Sequence, residues 1–531
     1  MTRIHRLIVL VVIAGASTFS SASNHNSGNE VDSPRVCGTG FQPVKTRPGW
    51  PCHAGAAASN ITPPLDEPIV GGWASPQAVH IHDELYARCL VLDDGKTKLV
   101  FVVCDSLGIA REVCDAAKQI IHAKTGIPVE HMMIAATHTH SSISARDVNR
   151  LVESKKLGEY QKFLVMRIAD GVRRAVNNLE PARIGWGSAQ VPTQVFNRRY
   201  YMKPGTPTPN PFGGKDKVVM NPGRGNPNIL KAAGPTDPEV AFLSVQSADG
   251  RPIALLANYS LHYVGPNAGS VISADYFGVF ADRIQHLLGA DRLDPPFVGI
   301  MSNGTSGDIN NINPLVKPQK RWAPYEKMRQ VADLLAKVVY EAHQKVKFHD
   351  WVGLGAMQRE LTLAVRKPTE EQLAYAREIL AKPDDAKPYH IREKVYAQRT
   401  LQMHESPDQV CVILQAFHIG DSCLRRNDVT PAKAGVGICA IPFEVFVEIG
   451  LEIKQKSPFG PPPRLAAPDA GAGRTFTISH ANGSYGYLPT ARQHELGGYE
   501  TWLGTNMVEI QAADKIVGGL LEMLVARASS P

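Results

Sequence analysis

Beyond its N-terminus, this 531-residue chain has no apolar run long enough to cross a bilayer. Its net charge of +7 comes without any basic run, so nothing suggests nucleic acid as a partner. A Gly-x-Ser-x-Gly elbow is missing, which removes the signature of a plain serine hydrolase. The Gly-rich strand-to-helix loop that cradles phosphates is missing too, which weakens a nucleotide-binding role. No internal repeat of fixed period occurs. Cysteine is sparse, at eight residues, and its spacings match no zinc ribbon. What remains is a globular composition, 43% apolar and 20% charged. The length allows one large domain or two to three ordinary ones.

The N-terminus carries an address. Arg3 and Arg6 precede the apolar run Leu7 to Gly15, and small residues follow through Ser23. This is a signal-peptide pattern over residues 1–23, with cleavage expected after Ala22 or Ser23. The mature chain is therefore expected to be exported, secreted or periplasmic. Export permits disulfides, and Cys37 and Cys52 are close enough in sequence to pair locally. Cys89 and Cys104 sit in apolar runs and are expected as buried free thiols. Residues 24–60 are rich in Ser, Asn, Gly and Pro, lack periodicity, and read as a disordered leader. The folded domain is expected over 61–531.

Within that domain, strand and helix patterns alternate, which argues an α/β layered architecture. Asp93-Asp94-Gly95-Lys96 between two apolar runs signals a hairpin. Helices are expected at about 111–124, 161–178, 324–345, 369–382, 388–402 and 509–528. Residues 200–235, rich in Pro, Gly and Asn, read as a long loop. Residues 422–437 interrupt two strand patterns and read as a surface loop insertion.

The chemistry starts at Met132 to Ala136. This apolar run leads into Thr137-His138-Thr139-His140-Ser141. Histidines at i and i+2 on a strand share a face, and neutral imidazole suits zinc. An isolated pair of this kind is as readily a polar strand end, so further ligands must decide. Four more apolar runs end in polar residues. One ends at Leu261-His262-Tyr263, followed by Asp275. One runs into Asn303-Gly304-Thr305-Ser306-Gly307-Asp308-Ile309-Asn310. One runs into Glu444, and one into Asn482 to Tyr487, with Tyr499 beyond. Strand ends converge at active sites of α/β sheets. Taken singly, His262 reads as a core histidine, Glu444 as a helix-start charge, and the tyrosines as packing.

Together these segments resemble the neutral/alkaline non-lysosomal ceramidase family. The likeness rests on Leu85-Tyr86-Ala87-Arg88, Val103-Cys104-Asp105, Ala136-Thr137-His138-Thr139-His140-Ser141, Ala257-Asn258-Tyr259-Ser260-Leu261-His262, Gly307-Asp308, Pro442-Phe443-Glu444, and Tyr487-Leu488-Pro489-Thr490 with Tyr499. It implies layered β-sheets flanked by helices. It implies a zinc ion held by His138, His262, Glu444 and Tyr487. His140 and Tyr499 would contact the scissile group, and Arg198 resembles an active-site arginine of the family. Asp275 and Asp308 would support substrate or site.

Two departures matter. The family places a serine in Gly-Asp-(Val)-Ser-Pro-Asn, and Asn310 stands at that position here. Asparagine cannot serve as a hydroxyl nucleophile, so activated water is expected, with Asn310 positioning it or the substrate. The chain also stops at Pro531, so the C-terminal immunoglobulin-like domain of some members is expected to be absent. The implied activity is hydrolysis of an N-acyl amide in ceramide or another N-acylated lipid or sugar. Transient contact with a membrane surface would accompany a lipid substrate. A zinc esterase or deacetylase on the same site, or a binding protein that keeps the fold without catalysis, are the alternatives.

Overall fold

Two sheets stack face to face and carry helices on their outer faces. The computed structural model describes residues 52–146, 149–154, 156–265, 269–318, 320–420, 435–459 and 474–529. The expected signal segment, Cys37 and residues 422–434 lie outside them.

The larger sheet holds β1 (Cys52–Asn60), β2 (Tyr86–Asp93), β3 (Lys98–Cys104), β4 (Met132–Ala136), β5 (Glu180–Gln190), β6 (Glu239–Ser247), β7 (Pro252–Tyr259) and β8 (Val298–Asn303). Their order is β8-β7-β6-β5-β1-β2-β3-β4. The smaller sheet runs in the order β9 (Gly353–Ala364), β10 (Gln409–Gly420), β11 (Gly435–Ala440) and β12 (Arg474–Ile478). The helices of ten residues or more are α1 (Arg111–Thr125), α2 (Glu159–Asn177), α3 (Asp275–Leu287), α4 (Glu326–His343), α5 (Glu370–Ala381), α6 (Glu393–Glu405), α7 (Val447–Lys456) and α8 (Ala512–Ser529). None of the described helices is long and apolar enough to cross a membrane.

Alternation decides which face each strand buries. Leu90, Leu92, Leu99, Phe101 and Val103 point inward and meet Leu354, Phe417, Ile419, Ile438 and Phe476 of the smaller sheet. Phe101 and Phe417 mark the seam, with ring centroids 5.1 Å apart in edge contact. Such a pair contributes about 0.5–1.5 kcal/mol beyond its buried area. The outward residues Cys89, Val91, Val100 and Val102 pack under α1 and α2. Leu255, Ala257 and Met301 pack under α3 and α4. Val412, Leu414 and Cys439 pack under α7 and α8. The layered expectation holds.

The Asp93–Lys98 hairpin forms as expected, antiparallel between β2 and β3. Asp94 closes its turn, its carboxylate accepting from Lys96 N at 2.8 Å and Thr97 N at 2.7 Å. Three expectations are corrected. Residues 52–60 are not leader but β1, hydrogen-bonded to β2 along its length and to β5 at its start. Its small residues reflect a close approach: a Cβ on Gly55 would collide with the Ala175 carbonyl of α2. Cys52 is a buried thiol on that strand whose Sγ donates to Val352 O at 3.5 Å, and its expected partner Cys37 lies outside the described residues. The 200–235 segment is not only loop. Arg199–Met202, Val218–Met220 and Ile229–Ala232 pair into a three-stranded sheet whose strands are too short to announce themselves by periodicity. At the expected insertion, residues 435–437 belong to β11.

Three parallel pairs position the site: β3 with β4, β7 with β8, and β11 with β12. Their C-terminal ends lead into His138, His262, Glu444 and His480.

Candidate metal centre

His138 follows β4 in a left-handed backbone conformation, φ 67°. That conformation costs a non-glycine residue of order 1 kcal/mol or more, and it persists where the surroundings impose it. Here His138 N donates to Ser106 O and Thr137 N to Cys104 O, both at 2.9 Å. The imidazole is then fixed through Nδ1, 2.7 Å from Leu107 O. His262, beyond β7, is fixed the same way, Nδ1 3.0 Å from Ser306 O. In both rings the backbone carbonyl assigns the proton to Nδ1 and leaves Nε2 as the free lone pair. This is the usual support for a metal-ligating histidine.

His140 differs. Its Nε2 lies 3.1 Å from His138 Nε2, and among the described residues no acceptor holds its Nδ1. Packing places it instead: the ring stacks on Tyr263 at 3.8 Å, and Gly71 covers it. A Cβ at Gly71 would stand 2.9 Å from His140 Cγ and Nδ1. Among the described residues, His138, His140 and His262 form a group whose ligand atoms all lie within 4.8 Å.

Glu444 and Tyr487 approach from the smaller sheet. They sit opposite each other in a short parallel ladder, Glu444–Val445 against Tyr487–Leu488. Glu444 Oε2 is 3.5 Å from His138 Nε2 and is a buried oxygen without a hydrogen-bond partner. Burial pushes the Glu444 carboxyl up, but the imidazoles of His138, His480 and His262 outweigh it and hold it well below the carboxylate range. Burial, then neighbouring imidazoles or Arg198, keeps His140 and His262 well below the usual histidine range. The centre therefore gathers imidazoles, with His140 and His262 kept neutral by burial, an ionised carboxylate and a phenol. That donor set, with one orphaned buried oxygen, fits a divalent metal ion.

Tyr487 Oη accepts from Arg198 Nη2 at 2.9 Å. Arg198 Nε donates to Glu500 Oε1 at 2.8 Å, and Arg199 Nη1 to Glu500 Oε2 at 2.6 Å. All three charged side chains are buried. Burial still holds the Tyr487 phenol well above its usual value, the Arg198 charge opposing it. Arg198 thus reaches the centre through Tyr487.

A cavity of about 410 Å³ opens onto His138, His140, Glu444, Tyr487 and Tyr499. Trp73 shares its wall and meets the Tyr499 ring edge-on at 5.9 Å. The other expected residues do not line this cavity. Asp308 accepts from Asn197 Nδ2 at 2.7 Å and Val447 N at 2.9 Å, which ties the Arg198 segment to the start of α7. Asp275 accepts from Gly265 N at 2.8 Å and Val264 N at 3.2 Å, fixing the loop after His262. Asn310 Nδ2 donates to Asn221 Oδ1 at 2.6 Å, and its Oδ1 accepts from Ile312 N at 2.9 Å.

Sequence reasoning missed His480 and Glu500. His480 follows β12 as His138 follows β4, and its ring stacks on His138 at 4.1 Å. The common strand-end position was its only signal. Glu500 had none beyond its place next to Tyr499.

Residues 53–319 match the family described as neutral/alkaline non-lysosomal ceramidase, N-terminal. The fold is similar to a crystal structure of neutral ceramidase from Pseudomonas aeruginosa, with a TM-score of 0.61 and 18% identity over 90% of this chain and 75% of that one. A ceramidase complexed with C2 is similar to the same extent, with a TM-score of 0.62 and 18% identity over the same shares of both chains.

Proposed function

The chain belongs to the neutral/alkaline non-lysosomal ceramidase family, and on that premise we propose that it is a zinc-dependent amidohydrolase. Its substrate is an N-acyl amide, in ceramide or another N-acylated lipid or sugar. Arg3, Arg6 and the apolar run after them support export. A lipid substrate brings transient contact with a membrane surface.

One observation carries the reading. Glu444 presents a buried, unpartnered oxygen beside two histidines whose Nδ1 atoms are tied to backbone carbonyls. His138, His262, Glu444 and Tyr487 are the residues that would hold zinc. When bound, zinc supplies polarisation of a carbonyl and a lowered pKa for water, to roughly 7.

The chain's own residues do the rest. Arg198, anchored on Glu500, orients Tyr487 by donating to its oxygen. His140 faces the cavity with an imidazole that burial keeps neutral. It can take a proton from the attacking water and return it to the departing amine. Tyr499, whose phenol burial keeps protonated, offers a hydroxyl donor to the developing oxyanion. Asn310 supplies no hydroxyl, so hydrolysis proceeds without a covalent acyl intermediate at that position.

The test is metal analysis of the purified protein beside a panel of N-acyl amides, esters and acetylated sugars. Amide turnover with one zinc per chain supports the reading. Ester or acetyl turnover alone assigns the esterase or deacetylase. Metal bound with no turnover assigns a binding protein.

A further inference from the structure

The cavity over the metal centre is more cationic than a neutral lipid requires. Arg146, Arg150 and Arg399 line it together with Trp73. Arg146 Nη1 donates to Ser484 Oγ at 3.3 Å, and Arg399 Nη1 to Tyr396 Oη at 3.2 Å. Among the described residues, no carboxylate forms an ion pair with any of the three. Glu444 is the one carboxylate on the cavity wall, and it belongs to the metal centre. Behind Arg146 and Arg150 lies a second cavity of about 330 Å³, which both arginines also line. Its carboxylates are engaged elsewhere. Glu112 accepts from Ser154 N at 3.1 Å, and Glu153 lies 3.7 Å from Arg111 Nε.

Arg150 runs in van der Waals contact beside the backbone that leads into Tyr487. Gly486, at φ 88°, immediately precedes Tyr487, and a Cβ there would stand 3.6 Å from Arg150 Nη1. Arg146 crosses Gly108 in the same way, its Cδ 3.3 Å from where a Cβ would be. Burial, then the neighbouring Arg150, draws the Arg146 guanidinium down to about 9. Burial lowers Arg150 as well. Guanidiniums held close together and partly out of water gain most from a bound anion, which their forked donors match.

We propose that this cavity selects N-acyl substrates carrying an anionic group close to the scissile amide, held between Arg146 and Arg150. The simplest such compound is an N-acyl amino acid. The assignment rests on the hydrolase reading for its chemistry, but not for its binding. Hydrolysis adds water across the C–N bond and releases a fatty acid and an amine that keeps the anion.

The experiment uses the purified zinc-loaded chain and three probes of one acyl length. They are N-lauroylglycine (a carboxylate), N-lauroyltaurine (a sulfonate) and N-lauroylethanolamine (neutral). The wild-type kcat/KM is expected to favour at least one anion over the neutral probe by about tenfold or more. In Arg146→Gln and Arg150→Gln that preference should fall about 10- to 100-fold, the worth of a hydrogen bond to a charged group, and mostly through KM. Arg150→Lys should restore part of it. A wild-type preference for the neutral amide overturns the proposal, as does an equal loss on all three probes in both variants. If no amide is turned over, the hydrolase reading fails, and calorimetric binding of the same probes still decides this one. Tighter binding of an anion, lost in Arg150→Gln, upholds it, and equal binding of all three overturns it.

Discussion

Glu444 Oε2 stands 3.5 Å from His138 Nε2, although His138 follows a strand of the larger sheet and Glu444 a strand of the smaller one. The metal centre is thus built across the seam between two sheets. A metal that binds there ties them together and stabilises the folded state by mass action, about 2.7 kcal/mol when it is present at a hundred times its dissociation constant. Zinc should therefore raise the unfolding temperature of the wild type, and chelation should lower it. In Glu444→Gln the response should vanish. A wild type whose melting ignores zinc would argue against a site spanning the seam.

Glu500 serves two buried cations, Arg198 and Arg199. Replacing one partner of a buried pair leaves uncompensated charge and costs about 3–5 kcal/mol. Glu500→Gln should lose stability of that order in urea titration. It should also lose activity, because Arg198 no longer holds Tyr487. A loss below 1 kcal/mol would mean that water reaches these charges.

Gly71 permits His140. Its φ of 117° is one that L side chains rarely adopt, and a Cβ would press on the His140 ring at 2.9 Å. Gly71→Ala should displace that ring and cut kcat about 100-fold, the scale set by a misplacement of about 1 Å. The metal content should be retained. Normal kcat in Gly71→Ala would remove His140 from the chemistry.

Asp275 gives stability a pH dependence of known sign. Burial lifts its carboxyl from 3.8 to about 6, against the backbone N–H groups of Tyr276, Gly265 and Val264 that favour the charge. The folded chain then binds this proton more tightly than the unfolded one. The contribution is complete below pH 3.8 and is lost as pH rises to about 6, an amount of about 3 kcal/mol. Asp275→Asn should flatten the fall in stability between pH 4 and 6. Asp308, also lifted to about 6 by burial, leaves part of the slope in place. An unchanged slope in the variant would show that Asp275 does not carry it.

Much of this was legible because polar residues stand where apolar strands end. Strand ends single out the segments of His138, His262, Glu444 and Tyr487, the family resemblance names these four as ligands, and the structure gathers them. What stayed hidden depends on tertiary contact. Strand β1, sequence Cys-His-Ala-Gly-Ala-Ala-Ala-Ser-Asn, has no bulky alternation because α2 lies against it, so its composition mimics a disordered leader. His480 is defined by its stack on His138, some 340 residues away in sequence, which no local pattern encodes. Asn310 reads from sequence as a site residue, yet its amide is spent on Asn221 and Ile312.

The division of labour between His138 and His140 is the central claim, and metal content tests it most directly. His138 has a carbonyl behind Nδ1, whereas no acceptor among the described residues holds His140 Nδ1. Zinc per chain should be measured by elemental analysis in wild type, His138→Ala and His140→Ala, purified alike. The account predicts one zinc in the wild type, none in His138→Ala, and one in an inactive His140→Ala. Loss of zinc from His140→Ala with retention in His138→Ala would contradict it.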